Sequence, residues 1–263
     1  MVSISPEITS VRTMSLLLIG AELLRGKITD ANGPLVIEEA RSAGVALREI
    51  TMIDDDLLGI ATSVRRMAAD VDLLVTSGGV GPTHDDLTLP AVAQAFDEDL
   101  YEHPDLRDRI SAYYASRPEQ LSVWLRMARV PVSTRLVMDE GMLWPVYQVR
   151  NVYVLPGVPE IFRRQFVAAS NRFHRSASDM QTLYVTLSEG EIAEHLEAVL
   201  ASYPSVEIGS YPVFGRNTSF RTRITLEDAD PPTLERALAA LTTRLPPASI
   251  VRVTRGKAPL VEW

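Results

Sequence analysis

A three-layer α/β fold on a mostly parallel sheet, followed by a small C-terminal α+β subdomain, is expected from three observations. Strand-length apolar runs alternate with helix-length segments over residues 14–173, which is the pattern of βαβ units. A glycine-rich stretch, Ser77-Gly78-Gly79-Val80-Gly81-Pro82-Thr83-His84-Asp85-Asp86-Leu87-Thr88, lies between one such run and the helix that follows it. The chain has 263 residues, 46% of them hydrophobic, enough to bury a large core and a smaller one.

Each element has its own signal. Leu16-Leu17-Leu18-Ile19 reads as a buried strand ended by Gly20, and a polar segment over 22–32 follows it. A helix is expected over 34–43, with Pro34 early in it and Gly44 just past its end. Residues 45–53 form a second strand, and Asp54-Asp55-Asp56 can cap a helix over 57–69. Residues 71–75 are a third strand, and the glycine stretch leads from it into a helix over 89–96. Residues 104–127 read as helical with a break at Arg117-Pro118. Short strands follow at 134–138, 146–149 and 152–155, the first two joined by a turn at Asp139-Glu140-Gly141. Pro156-Gly157-Val158-Pro159-Glu160 opens a helix to about 173. The character then shifts: a strand at 183–187, a helix at 189–203, strands at 206–210 and 220–226, and a helix at 232–245. The expected domains are therefore 14–175 and 176–255.

Composition removes several function classes. A net charge of −8 argues against a general nucleic-acid binder, which draws its affinity from cationic patches. Without cysteine there is no disulfide, no thiolate chemistry and no cysteine-ligated metal. No apolar run approaches the roughly 20 residues that span a bilayer, and no signal peptide is recognisable, so the cytoplasm is the expected location and no membrane partner is expected.

Ligands of parallel α/β sheets bind beyond the carboxyl ends of the strands. Gly20, Asp55 and the loop from Ser77 to Thr88 all lie at such ends, so one crevice can collect Glu22, Asp30, Asp55, Asp85 and Asp86. A strand, a glycine-rich loop and a helix together present backbone N–H groups to an anion, here from Gly78, Gly79 and Gly81. Two adjacent carboxylates would repel a phosphate unless a divalent metal stood between; hard oxygen ligands suit magnesium or manganese, with cobalt a further choice. Plainer roles compete. Asp85 and Asp86 can cap a helix, Glu22 and Asp30 can brace their loop, Asn32 can cap the 34–43 helix, and Gly157 can serve a tight turn. His84 reads as an exposed loop residue, and Trp124 and Trp144 read as packing rather than as a flavin stack.

Three ordered motifs carry a resemblance. Gly20-Ala21-Glu22-Leu23-Leu24-Arg25-Gly26-Lys27-Ile28-Thr29-Asp30-Ala31-Asn32, the loop Ser77 to Thr88, and Pro156-Gly157-Val158-Pro159-Glu160 resemble the motifs of the molybdopterin-binding fold in its competence/damage-inducible protein A branch. Glu189-Gly190-Glu191-Ile192-Ala193-Glu194-His195-Leu196 and Ile208-Gly209-Ser210-Tyr211-Pro212 extend the likeness into the second domain. The stretch 138–146 departs from that branch; Trp144-Pro145-Val146-Tyr147 and Asn151-Val152-Tyr153-Val154-Leu155 look closer to the molybdopterin-binding-like domain of eukaryotic FAD synthases. Neither the amidase domain nor the FAD-synthesising domain of longer relatives is expected within these residues. The resemblance implies a nucleotide or pterin ligand and one of two chemistries: metal-dependent hydrolysis of a pyrophosphate in FAD or ADP-ribose, or binding and adenylylation of molybdopterin. A non-catalytic nucleotide-binding protein is the alternative of another class. The resemblance makes Asp86 the first and Asp55 the second choice for metal binding and catalysis. Glu22, Asp30, Asn32, Ser77, Gly78, Gly79, Gly81, Asp85, Thr88, Pro156 and Gly157 are the implied ligand contacts, and a dimer is the implied assembly.

Overall fold

The computed structural model describes residues 11–138, 142–170, 173, 179–213 and 219–256; the turn expected at 139–141 lies outside them. The chain divides into two compact units, Met1–Arg175 and Ser176–Trp263.

The first unit opens with β1 (Thr13–Ile19), the one-turn helix α1 (Ala21–Leu24), α2 (Asn32–Ala43), β2 (Ala46–Ile53), α3 (Leu57–Ala69), β3 (Leu73–Ser77) and α4 (Thr88–Ala95). It continues with β4 (Leu100–Glu102), α5 (Pro104–Tyr113), α6 (Pro118–Trp124), a 3₁₀ turn at Leu125–Ala128 and β5 (Arg129–Pro131). β6 (Arg135–Val137), β7 (Val146–Val149), β8 (Val152–Leu155) and α7 (Pro159–Ser170) complete it. The sheet order is β2-β1-β3-β8-β7-β6. The first four strands are parallel, and β7 and β6 are antiparallel at one edge.

The unbroken apolar run of β1 follows from cover on both faces. Leu16 and Leu18 join Leu73, Val75, Tyr153 and Leu155 beneath Val36 of α2 and Phe162 of α7. Leu17 and Ile19 join Leu74, Val152 and Val154 beneath Ile60 of α3 and Val92 of α4. Each such side chain, fully buried, contributes about 1.5–3 kcal/mol. Three layers result, as expected. β1 leads outward to β2, and β3 returns to the other side of β1, so the chain reverses direction beside β1. A crevice opens at the carboxyl ends of strands where the order reverses in this way.

Local signals set the boundaries unevenly. α3 starts at Leu57 because Asp56 accepts the Gly59 N–H at 2.6 Å. α2 starts two residues earlier than expected, at Asn32, because Asp30 accepts the N–H groups of Asn32 and Gly33. β3 runs two residues later than expected, in register with Met14 to Leu18 of β1. The antiparallel pair β4 and β5, three residues each, brackets the α5–α6 excursion and has no counterpart in the sequence reading.

The second unit holds β9 (Asp179–Val185), α8 (Glu189–Ser202), β10 (Glu207–Pro212), β11 (Thr222–Asp228), α9 (Pro231–Arg244), a 3₁₀ turn at Pro247–Ser249 and β12 (Ile250–Arg255). Its antiparallel sheet has the order β10-β11-β9-β12. Leu183, Val185, Ile224 and Leu226 pack one sheet face against Ile192 and Val199 of α8 and Leu234 and Leu241 of α9. On the other face Tyr211, Arg223, Tyr184 and Arg252 stand opposite one another across all four strands. Arg223 lies 4.6 Å over the Tyr211 ring and Arg252 lies 4.1 Å over Tyr184. Among the described residues no helix is long and apolar enough to cross a membrane.

Candidate functional site

A cavity of about 590 Å³ opens where β1, β3 and β8 end. The backbone of the 77–88 loop sets its floor. Gly78 has φ +108°, and a Cβ there would strike the Ile19 carbonyl, so only glycine lets β3 turn this close to β1. Its N–H is spent on the Leu155 carbonyl at 3.1 Å and is not free for a ligand. The N–H groups of Gly79, Val80 and Gly81 donate to no acceptor among the described residues. Val80 was not among the sequence candidates, because its side chain gives no sign of what its amide faces.

Thr88 closes the loop from behind. Its hydroxyl donates to the Gly78 carbonyl at 2.7 Å and its N–H to the Gly79 carbonyl at 3.1 Å. It is fully buried and does not line the cavity. Asp85 and Asp86 do line it. Asp86 Oδ2 accepts the Thr83 N–H at 2.7 Å and a contact from the Thr83 hydroxyl. Asp85 Oδ1 competes for the same hydroxyl, and this bond, the first cause, holds the Asp85 carboxyl below the usual range. A Cβ on Gly81 would sit 2.5 Å from Asp86 Oδ2, so this glycine makes room for the carboxylate. His84 is exposed, 3.8 Å from Asp85.

Three loops are tied together beside this floor. The Asn32 side chain, buried at the first turn of α2, donates to Ser77 Oγ and to the Gly157 carbonyl, each at 2.9 Å. Gly157 approaches so closely that a Cβ on it would lie 3.3 Å from Gly78 Cα. Asp55 Oδ2 accepts the Ala21 N–H at 2.8 Å and fixes the start of α1, which carries Glu22. Glu22, Asp30, Asp55, Asn32, Ser77, Pro156 and Gly157 all face the cavity, so of the sequence candidates Thr88 alone is held away from it.

The lining holds five carboxylates and, among the described residues, neither lysine nor arginine. Arg126 comes near but donates to the Pro82 carbonyl at 3.3 Å. Among the described residues no group of three or more His, Asp or Glu is placed to hold a metal by itself. Asp55 and Asp86 each use Oδ2 in the loops, and their Oδ1 atoms have no hydrogen-bond partner among the described residues.

Part of the cavity wall is apolar. Trp124, Met127, Trp144, Pro145 and Tyr147 line it, with Gln165 from α7. Trp124 stacks on Tyr114 at 5.0 Å and Trp144 meets Tyr113 edge-on at 5.6 Å. From sequence both tryptophans read as packing rather than as a flavin stack. They do pack, but a half-buried indole that spends one surface on a tyrosine still offers another to the cavity. Burial pushes the Tyr147 phenol well above its usual range, so it stays neutral.

Comparison with known proteins matches residues 15–173 to a family described as a probable molybdopterin binding domain, and residues 179–254 to the FAD synthase middle domain. A probable FAD synthase of Caenorhabditis elegans is 30% identical over 90% of this chain and 50% of its own. A CinA-like protein of Thermomicrobium roseum is 33% identical over 84% of this chain and 56% of its own. The chain thus spans about half the length of these curated relatives. A crystal structure of the protein CinA, of unknown function, from Thermoplasma acidophilum superposes with a TM-score of 0.56 at 28% identity. That match covers 61% of this chain and 96% of the other.

Proposed function

We propose, on the premise that the chain belongs to the molybdopterin-binding domain family, in its CinA-like branch close to the FAD synthases, that it hydrolyses the pyrophosphate of a dinucleotide of the FAD or ADP-ribose type with a divalent metal. The observation that carries this reading is the pairing of loop amides that donate to no acceptor among the described residues with five carboxylates in a cavity whose described lining holds no lysine or arginine. Amides alone can hydrogen-bond phosphate oxygens but cannot offset that much negative charge. Magnesium is commonly held by one or two carboxylates, several waters and the substrate's phosphates, so the lack of a three-ligand cluster among the described residues fits it. Asp86 and Asp55, through their free Oδ1 atoms, are the residues that would hold the ion. A bound ion would supply charge neutralisation and an activated water.

The chain's own groups do the rest. The N–H groups of Gly79, Val80 and Gly81 receive phosphate oxygens, preorganised by Thr88 behind and Asn32 beside them. Asp85 stays ionised and so is not a proton donor. Water adds at one phosphorus, the bridging P–O bond breaks, and two phosphate monoesters leave with a released proton. A second reading, binding of molybdopterin, shares the phosphate floor and the apolar wall.

The test is to incubate the protein with FAD, ADP-ribose or NAD and magnesium, manganese or cobalt, and to follow AMP. Measurable binding with no AMP from any substrate would sink the enzymatic reading. Molybdopterin binding without FAD cleavage would favour the second. Where AMP appears, Asp86→Asn should lower turnover by about a hundredfold or more while the fold survives, since the amide keeps the Thr83 brace and loses the charge. Unchanged turnover would remove Asp86 from the mechanism.

A further inference from the structure

We propose that the exposed edge of β2 is the surface through which two copies of this chain associate, their β2 strands pairing antiparallel about a two-fold axis at Thr51. The central sheet then continues from one copy into the other. None of the β2 residues lines the cavity, so the inference stands apart from the reading of that site.

The edge is open and lacks the usual guards. Among the described residues β2 pairs with β1 alone. The Gly20 N–H donates to the Ile53 carbonyl at 3.0 Å, so Glu49, Thr51 and Ile53 turn their backbone groups toward β1. Ile50 and Met52 therefore turn theirs outward, where an edge strand is a template for another strand. Their large apolar side chains share one face of the strand and are 40% and 37% exposed. Natural edges are blunted by proline, lysine or an unpaired charge, and the run 49–53 has none of these. Its one charge, Glu49, is turned onto Arg66 of α3 at 2.7 Å. The other described edges of the two larger sheets are guarded: β6 has three residues, β10 holds Gly209 and Pro212, and β12 carries a bulge with Arg252 and Arg255.

Symmetry fixes the register, and the register identifies the occupant. A two-fold axis pairs each residue i with j and j with i. Only residues with outward backbone groups can form the hydrogen-bonded pairs, so one of Ile50, Thr51 and Met52 must lie on the axis. An axis at Ile50 sets Met52 against Arg48, which sits in the β-bulge, and an axis at Met52 sets Ile50 against Asp54, beyond the strand. An axis at Thr51 uses only the regular run. Ile50 then meets the partner's Met52 and Met52 meets the partner's Ile50, each pair exchanging both N–H···O bonds. The same register sets Arg48 against the partner's Asp54 at both ends of the contact. Arg48 and Asp54 are exposed, and neither has an ion pair among the described residues. Apolar side chains, outward backbone groups and opposite charges are thus all self-complementary, which commits the edge to a second copy rather than to an unrelated strand.

Sedimentation equilibrium of the full chain over a concentration series should show a monomer–dimer equilibrium. Ile50→Lys with Met52→Lys, which sets like charges across each pair, should raise the dimer dissociation constant by about tenfold or more. Arg48→Asp should weaken the dimer and adding Asp54→Arg should restore it, and the restored dimer shows that the fold survives the exchange. The chain has no cysteine, so an introduced thiol reports the register without interference. In air with copper–phenanthroline, Thr51→Cys should form a covalent dimer, because residue 51 meets its own copy at a Cα separation of about 4.5 Å. Met52→Cys should not, because its copy is displaced along the strand beyond the roughly 7 Å that a disulfide can bridge. A chain that stays monomeric throughout the series overturns the proposal. So does a dimer indifferent to both the lysine pair and the charge exchange, or a Met52→Cys protein that cross-links as readily as Thr51→Cys.

Discussion

Asn32 shows how a single residue can be present in a motif and carry a role that the motif does not spell out. As part of the sequence between Gly20 and Asn32 it counted as a ligand contact or a helix cap. The structure uses it as a clamp whose two acceptors, Ser77 and Gly157, lie 45 and 125 residues away. Nothing local in the sequence encodes such partners. Asp30, two residues upstream, is legible as a brace because its acceptor role is met within three residues. Removing the Asn32 side chain would orphan a buried hydroxyl and a carbonyl. Asn32→Ala should therefore lower unfolding stability by about 1–3 kcal/mol and weaken nucleotide affinity, because the 77–88 and 156–158 loops lose their common tether. Denaturant titration beside a binding isotherm checks this, and full affinity in a destabilised variant would deny Asn32 a positioning role.

At the level of elements, legibility follows sequence distance. α3 was placed at its observed bounds because its cap, its apolar stripe and its end all lie within one segment. β4, β5 and β12 have few buried side chains, and pairing with distant strands defines them. The start of β1 is likewise fixed from afar. Asp72, just ahead of β3, accepts the N–H groups of Arg12 and Thr13 at 2.9 Å each and the Thr13 hydroxyl at 3.0 Å. These bonds, the Arg12 N–H first, hold its carboxyl below the ordinary 3.8. A carboxyl depressed on folding stabilises the folded state above its unfolded pKa, and that contribution is lost as pH falls below it. Asp72→Asn keeps an acceptor and loses the charge. Because the group is exposed and screened, the loss at neutral pH should be under about 1 kcal/mol. Stability curves of the two proteins should converge as pH falls below 3.8. A gap that persisted undiminished in acid would show that charge is not what anchors the strand.

The whole molecule is two cores in one chain, and that division makes a prediction of its own. The sequence showed the change in character near residue 176 because apolar runs of parallel-sheet type give way to alternating strands. Each unit closes its own core: Leu16, Leu17 and Phe162 belong to the first, and Leu183, Leu226 and Leu241 to the second. The cavity is lined by residues of the first unit. A ligand there binds only the folded first unit and should stabilise it by about 2.7 kcal/mol at a hundred times its dissociation constant. Leu226→Ala, which empties a site at 0% exposure in the second core, should cost about 2–5 kcal/mol there. Calorimetry should then resolve two transitions in this variant. The lower, shifted by the mutation, should not respond to nucleotide, and the upper should rise with it. If one transition carried both the mutational loss and the ligand gain, the two cores would be folding as a single cooperative body, and the cavity's stability would depend on both.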